Sequence, residues 1–178
     1  MNMKLQELIK KELGIKENSP EEAVEILTEK ENELNNAISQ IQLLKNKYKK
    51  QLVLRRFEQW EEKLKKDFSK RIVVSDKFNE KEEVINVGVK FSIENKAFAA
   101  VIECNDCNKP NLYFGVGRHF ASQSKFETPL ILQSFLNDRN LIKPEEFWYG
   151  WKYTTLEEGY SMLKAIIEDI INLECPNR

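Results

Sequence analysis

Apolar side chains recur at helical spacing through residues 20–70, and no Gly or Pro interrupts the chain between Pro20 and Gly88. Leu27, Leu34, Ile41 and Tyr48 fall seven residues apart, with Ala23, Ala37 and Leu44 on the flanking seam. That is a heptad repeat, the pattern of a coiled coil. Lys30 and Gln51 interrupt the second seam. Beyond Tyr48 the register changes, and Val53, Phe57, Trp60, Leu64 and Phe68 form a new stripe. The pattern predicts a long helix that pairs with a partner early and packs on a domain late. A break near residues 48–51, giving two helices in an antiparallel hairpin, is the alternative. Ahead of it, residues 4–13 suit a short helix stopped by Gly14. Ser19 suits the N-cap of the long helix, Pro20 its first position, and Glu22 completes a capping box.

The pattern changes near residue 71. Residues 84–93 alternate, with Val87, Val89, Phe91 and Ile93 on one side and Gly88, Lys90 and Ser92 on the other, as in a half-buried strand. Glu94, Asn95 and Lys96 make a polar turn. Residues 98–104 and 112–118 give two further strands, so a short antiparallel meander is expected. Residues 128–136 suit a helix, 147–153 a dense aromatic strand or loop. The last helix opens at Thr155 and carries Leu156, Tyr160, Leu163, Ile166, Ile167, Ile170 and Leu173 on one face. The expected fold is α+β: a helical arm over 1–70, then a small antiparallel sheet packed against helices over 71–178.

Composition narrows the classes. The chain has 178 residues, 41% hydrophobic and 32% charged. That excludes wholesale disorder. No run of about 18 apolar residues exists, which excludes a membrane-spanning helix. The N-terminal residues lack the unbroken apolar stretch of a signal peptide, and three cysteines argue against a disulfide framework. A cytoplasmic location is expected. The net charge is −1, but it is segregated. Residues 1–44 are net −4, residues 45–71 net +7 and residues 72–178 net −4. The basic segment suits a nucleic-acid backbone, or the acidic segment of a neighbouring chain. An antiparallel dimer would set −4 against +7, and a homo-oligomer through residues 20–50 is expected.

The strand meander, the Leu112-Tyr-Phe-Gly-Val-Gly-Arg118 strand, the aromatic segment 147–153 and the amphipathic last helix together resemble the C-terminal region of one group within the PD-(D/E)XK nuclease superfamily. The resemblance covers residues 30–173. In those bacterial and phage proteins a nuclease core precedes a helical connector and a small α+β domain. Here the long helix replaces that core. The resemblance therefore implies an orphan accessory domain acting with nucleic acid or a nucleic-acid enzyme, without catalysis of its own. A divergent Mg²⁺-dependent nuclease and a purely structural coiled-coil protein are the alternatives.

Several residues carry candidate chemistry. Glu94 and Lys96 match the Glu-x-Lys of the nuclease, with Asp76 upstream. Such a set binds Mg²⁺ and polarises water or phosphate, although a hairpin turn explains the same triplet. Cys104 and Cys107 form Cys-x-x-Cys. With His119 and Cys175 they are the only soft ligands for Zn²⁺, and plain loop cysteines are the alternative. Lys45, Lys47, Lys49, Lys50, Arg55 and Arg56 on the helix, with Arg118, Trp151 and Lys152, form the candidate nucleic-acid surface. In that surface the aromatics stack on bases and the cations meet phosphates. Core packing competes as a role for the aromatic segment. On strand alternation, Trp148 and Gly150 face one way and Tyr149, Trp151 and Tyr153 the other.

Overall fold

The computed structural model describes residues 3–16, 19–76, 84–107, 110–118, 127–141 and 144–174. The chain forms two compact units, Met1–Lys47 and Tyr48–Arg178. In the first, helix α1 (Met3–Glu12) ends at Gly14, whose φ of +66° places it in the left-handed region. The Ile15 N–H donates to the Lys10 carbonyl at 2.9 Å, the 6→1 bond of a Schellman cap, a position that glycine's freedom of φ favours. The Ala23 N–H donates to the Ser19 carbonyl at 3.0 Å, which starts the next helix at the expected place. Helix α2 (Pro20–Asp67) is continuous over 48 residues. It runs unbroken through residues 48–51, so the hairpin alternative is excluded.

The second unit is α+β. Five strands, β1 (Val73–Asp76), β2 (Ile85–Ile93), β3 (Lys96–Cys104), β4 (Leu112–Arg118) and β5 (Trp148–Thr154), form one antiparallel sheet in sequence order. Helix α3 (Leu130–Asp138) lies between β4 and β5 in the chain, and α4 (Gly159–Glu174) follows β5. Glu94 and Asn95 have φ of 51° and 61° and form a two-residue turn between Ile93 and Lys96. Positive φ at both central positions matches the right-handed twist of the two strands. Lys96 therefore belongs to β3, not to the turn. Strand β1 was not visible in the sequence pattern, because four residues are too short to show alternation.

One face of the sheet carries the core. Val87, Val89, Phe98, Ala100, Ile102, Phe114 and Val116 are buried there with Val53, Phe57, Trp60 and Leu64 of α2 and Leu163, Ile166, Ile167 and Ile170 of α4. The stripe beyond Tyr48 thus packs on the sheet, as its spacing indicated. Gly159 opens α4 where three elements meet. A Cβ there would lie 2.5 Å from Ile102 Cδ1 and 3.0 Å from Trp60 Cη2. A methyl at this point requires the Ile102 side chain to shift, so the first turn of α4 lies close against the sheet.

Candidate functional site

The first unit exposes much of its apolar surface. Leu27, Leu34 and Ile41 are 44%, 64% and 63% exposed, and Val24, Ile38 and Leu44 are exposed beside them. Only Leu13, Ile15, Ala23, Ile26 and Lys30 of this unit's described inner positions reach half-burial with Ser19. An open groove of about 890 Å³ lies against α1 and α2, lined by Leu8, Ile9 and Leu13 from one helix and Leu27, Leu34 and Ile38 from the other. A contiguous apolar surface of this kind is in unfavourable contact with water. Of the heptad residues named from the sequence, Leu27, Leu34 and Ala37 line it. The groove lining by Leu8, Ile9 and Ile38, and the exposure of Val24 beside it, were not assigned from the sequence. Their signal was there: Leu5, Leu8, Ile9 and Leu13 repeat at helical spacing, and Val24 and Ile38 lie 14 residues apart.

The residues of the nuclease set are not brought together. Asp76 pairs with Asn86 at one end of β2, while Ile93 pairs with Lys96 at the other. At a rise of about 3.4 Å per residue, on the order of 24 Å of strand separates the two ends. Glu94 is exposed in the turn, and the Lys96 ammonium donates to the Glu127 carbonyl at 3.2 Å. This arrangement does not fit a Mg²⁺ site, which needs its carboxylates on one ion.

Cys104 and Cys107 are both buried. Their mutual hydrogen bond, followed by burial, pushes the Cys104 thiol well above its ordinary range. A thiol so held is a poor nucleophile. His119 and Cys175 lie outside the described residues. Among the described residues, no group of three or more His, Cys, Asp or Glu is placed to hold a metal.

The basic set is spread rather than focused. Lys45 and Lys47 are exposed in the first unit, and Lys49 and Arg55 in the second, where Lys50 and Arg56 are half-buried. Lys49 and Arg56, seven residues apart, share a helix face, whereas Arg55 points elsewhere. Other cations of the +7 segment are engaged within the chain. The Lys65 ammonium lies 2.5 Å from Glu61, Lys63 sits 5.1 Å over the Tyr160 ring, and Arg71 pairs with Glu174. The Arg118 guanidinium lies 5.5 Å over the Phe147 ring.

Trp151 and Lys152 face opposite sides of the sheet. Trp151 pairs with Gly115 and is buried against Tyr113 and Tyr153, with ring centroids 5.2 and 5.1 Å apart. Lys152 pairs with Phe114 on the core side, sits 5.4 Å over that ring and donates to the Arg139 carbonyl at 3.2 Å. The alternation of this strand is also corrected. A register shift between Val116 and Gly117 adds a residue to β5. Trp148 therefore joins Trp151, Ala99 and Val101 in a second, smaller apolar cluster, while Tyr149 turns to the core and meets Phe98 edge-on at 4.9 Å. Of the aromatics in β5, only Tyr153 is exposed.

No family model, curated protein or solved structure matches this chain. No helix among the described residues is long and apolar enough to cross a membrane.

Proposed function

We propose that the chain is a non-catalytic assembly module that self-associates through residues 20–50 of α2. The observation that supports this reading is the exposed row of Leu27, Leu34, Ile41 and their neighbours on an uninterrupted helix. Burying such a row contributes roughly 25 cal/mol per Å² of apolar surface. The test is sedimentation across a range of protein concentration. The wild-type chain sediments as an oligomer whose mass falls on dilution. Leu34→Glu with Ile41→Glu sediments as a monomer with unchanged helix content. A wild-type chain that stays monomeric at high concentration refutes the proposal.

A second reading concerns the partner. Lys45, Lys47, Lys49 and Arg55 are exposed in a segment that carries net +7 over residues 45–71. Those cations support nucleic acid, or an enzyme acting on it, as what the module engages. Fluorescence anisotropy of labelled DNA and RNA across a salt series, in EDTA, tests this. Phosphate contacts give affinity that falls steeply with salt. Absence of binding at low salt removes nucleic acid from the reading.

A further inference from the structure

The charges of α2 are arranged as a reflection. Residues 34–44 hold no charged side chain. On one side stand Glu29, Glu31 and Glu33; on the other stand Lys45, Lys47 and Lys49. Reflecting the helix about Ser39 carries Glu33 onto Lys45, Glu31 onto Lys47 and Glu29 onto Lys49. The same reflection carries apolar onto apolar: Leu34 onto Leu44, and Ala37 onto Ile41. Opposite charge and matched seam thus share one centre.

From this we infer that the occupant of the exposed face is a second copy of the chain, docked antiparallel with its two-fold axis crossing the seam at the level of Ser39. The inference rests on the self-association proposed above and adds orientation and register. Leu27, Leu34 and Ile41 take the a positions of the heptad, and Lys30, Ala37 and Leu44 the d positions. In antiparallel pairs a residues meet d residues across the seam, which is what the reflection requires: Leu34 against Leu44 and Ile41 against Ala37 of the second copy. Leu34 and Ala37 line the open groove, so Leu44 and Ile41 of the second copy fill it.

The flanking positions choose between orientations. Glu31 and Lys45 are e positions, and Glu33 and Lys47 are g positions. An antiparallel pair juxtaposes e with e and g with g. Glu31 then meets Lys45, and Glu33 meets Lys47, each twice by symmetry. The reflection sets Glu31 level with Lys47 and Glu33 level with Lys45, but those lie on opposite sides of the seam. The facing cation on the same side stands two residues, about 3 Å, along the axis. A parallel pair juxtaposes g with the following e. That sets Glu33 against Ile38 and Lys47 against Leu52, with no opposite charges facing. It also brings acidic segment level with acidic segment and basic with basic. All four charged residues are exposed, so the ion pairs guide orientation rather than supply most of the affinity.

Spin labels on the full chain test this. Glu25, Asn32 and Ser39 are exposed, seven residues apart, and lie outside the seam. Each is replaced singly by Cys in a Cys175→Ser background. Cys104 and Cys107 are buried, and the background protein without an introduced cysteine supplies the blank. At 1.5 Å per residue, the two copies of a label are axially level at 39, about 21 Å apart at 32 and about 42 Å apart at 25. Intermolecular distances by pulsed dipolar spectroscopy therefore rise from 39 to 32 to 25. Equal distances at the three sites mean a parallel pair and overturn the inference while leaving self-association standing. A dimer by sedimentation with no intermolecular distance in this range places the contact elsewhere and also overturns it. A monomer at every concentration fails the underlying proposal.

Discussion

The Asp67 carboxylate accepts a hydrogen bond from the Lys164 ammonium at 2.8 Å, joining the last turn of α2 to α4. The Tyr160 hydroxyl donates to the same oxygen at 3.0 Å. An acidic residue at a helix C-terminus opposes the macrodipole. The two donors from α4 offset that conflict, and they fix how the helices meet beneath the sheet.

The pair makes stability depend on pH. The Lys164 hydrogen bond, then that of Tyr160, holds the Asp67 carboxyl below its ordinary range. The unfolded chain therefore binds this proton more tightly than the folded one. The contribution is present above the unfolded pKa and is lost as pH falls through the folded one. Lys164 is raised by the same hydrogen bond, so its contribution is lost at the alkaline end, above the ordinary lysine value of 10.5. Melting temperature measured from pH 2 to 6 falls less steeply in Asp67→Asn than in the wild type.

Gly159→Ala tests the closeness of α4 to the sheet. The added methyl meets Ile102 and Trp60 inside ordinary contact distance. Overpacking of this kind costs about 1–3 kcal/mol. Trp60→Ala acts in the opposite sense, leaving a void beside Phe57, and costs about 3–5 kcal/mol. Urea titration of both variants measures the two losses.

The β2–β3 turn offers a stabilising substitution. Glu94 and Asn95 already adopt positive φ, and Asn followed by Gly is the pair best suited to that turn. Glu94→Asn with Asn95→Gly relieves part of the roughly 1–2 kcal/mol that each left-handed residue costs, and so raises stability in the same titration. A loss would show that the Glu94 side chain has a structural role at the turn.

Charge exchange on α2 is predicted from the register. Glu31→Lys with Glu33→Lys sets like charges against Lys45 and Lys47 of the second copy. With about 0.2–1 kcal/mol for each of the four exposed pairs, self-association weakens by roughly tenfold or more at low salt. Adding Lys45→Glu and Lys47→Glu to the same chain restores it. Dimer dissociation constants by sedimentation at two salt concentrations check both steps.

The legible parts of the fold were those where one physical period dominates. Leu27 to Tyr48 and Val53 to Phe68 each keep a helical spacing, and Val87 to Ile93 keeps a strand spacing, so those elements stood out. Gly14 and Ser19 marked ends because their conformation and capping chemistry are local. What local sequence does not encode was missed. Strand β1 is held mainly by its pairing with β2. The shift between Val116 and Gly117 reverses the side on which Trp148 lies, and only the partner strand reveals it. The candidate sites suffered in the same way. Asp76 and Glu94 look close along the chain but sit at opposite ends of β2. Trp151 and Lys152 are adjacent in sequence and face opposite sides. The exposed apolar face of α2 was partly visible, because an exposed apolar row and a buried one share the same period and differ only in what covers them.

The meeting at Gly159 has a kinetic consequence. Each strand of the sheet pairs only with its sequence neighbours, so hairpins can form one after another, with short connections from β2 to β4 and a longer one through α3 before β5. Trp60, Ile102 and Gly159 are far apart in the chain, and the contact of Trp60 with Gly159 closes a longer loop than any strand pairing does. It is therefore expected to form after the strands have paired. Mutations there would accelerate unfolding while leaving the folding rate nearly unchanged, whereas changes in the β2–β3 turn would act chiefly on folding.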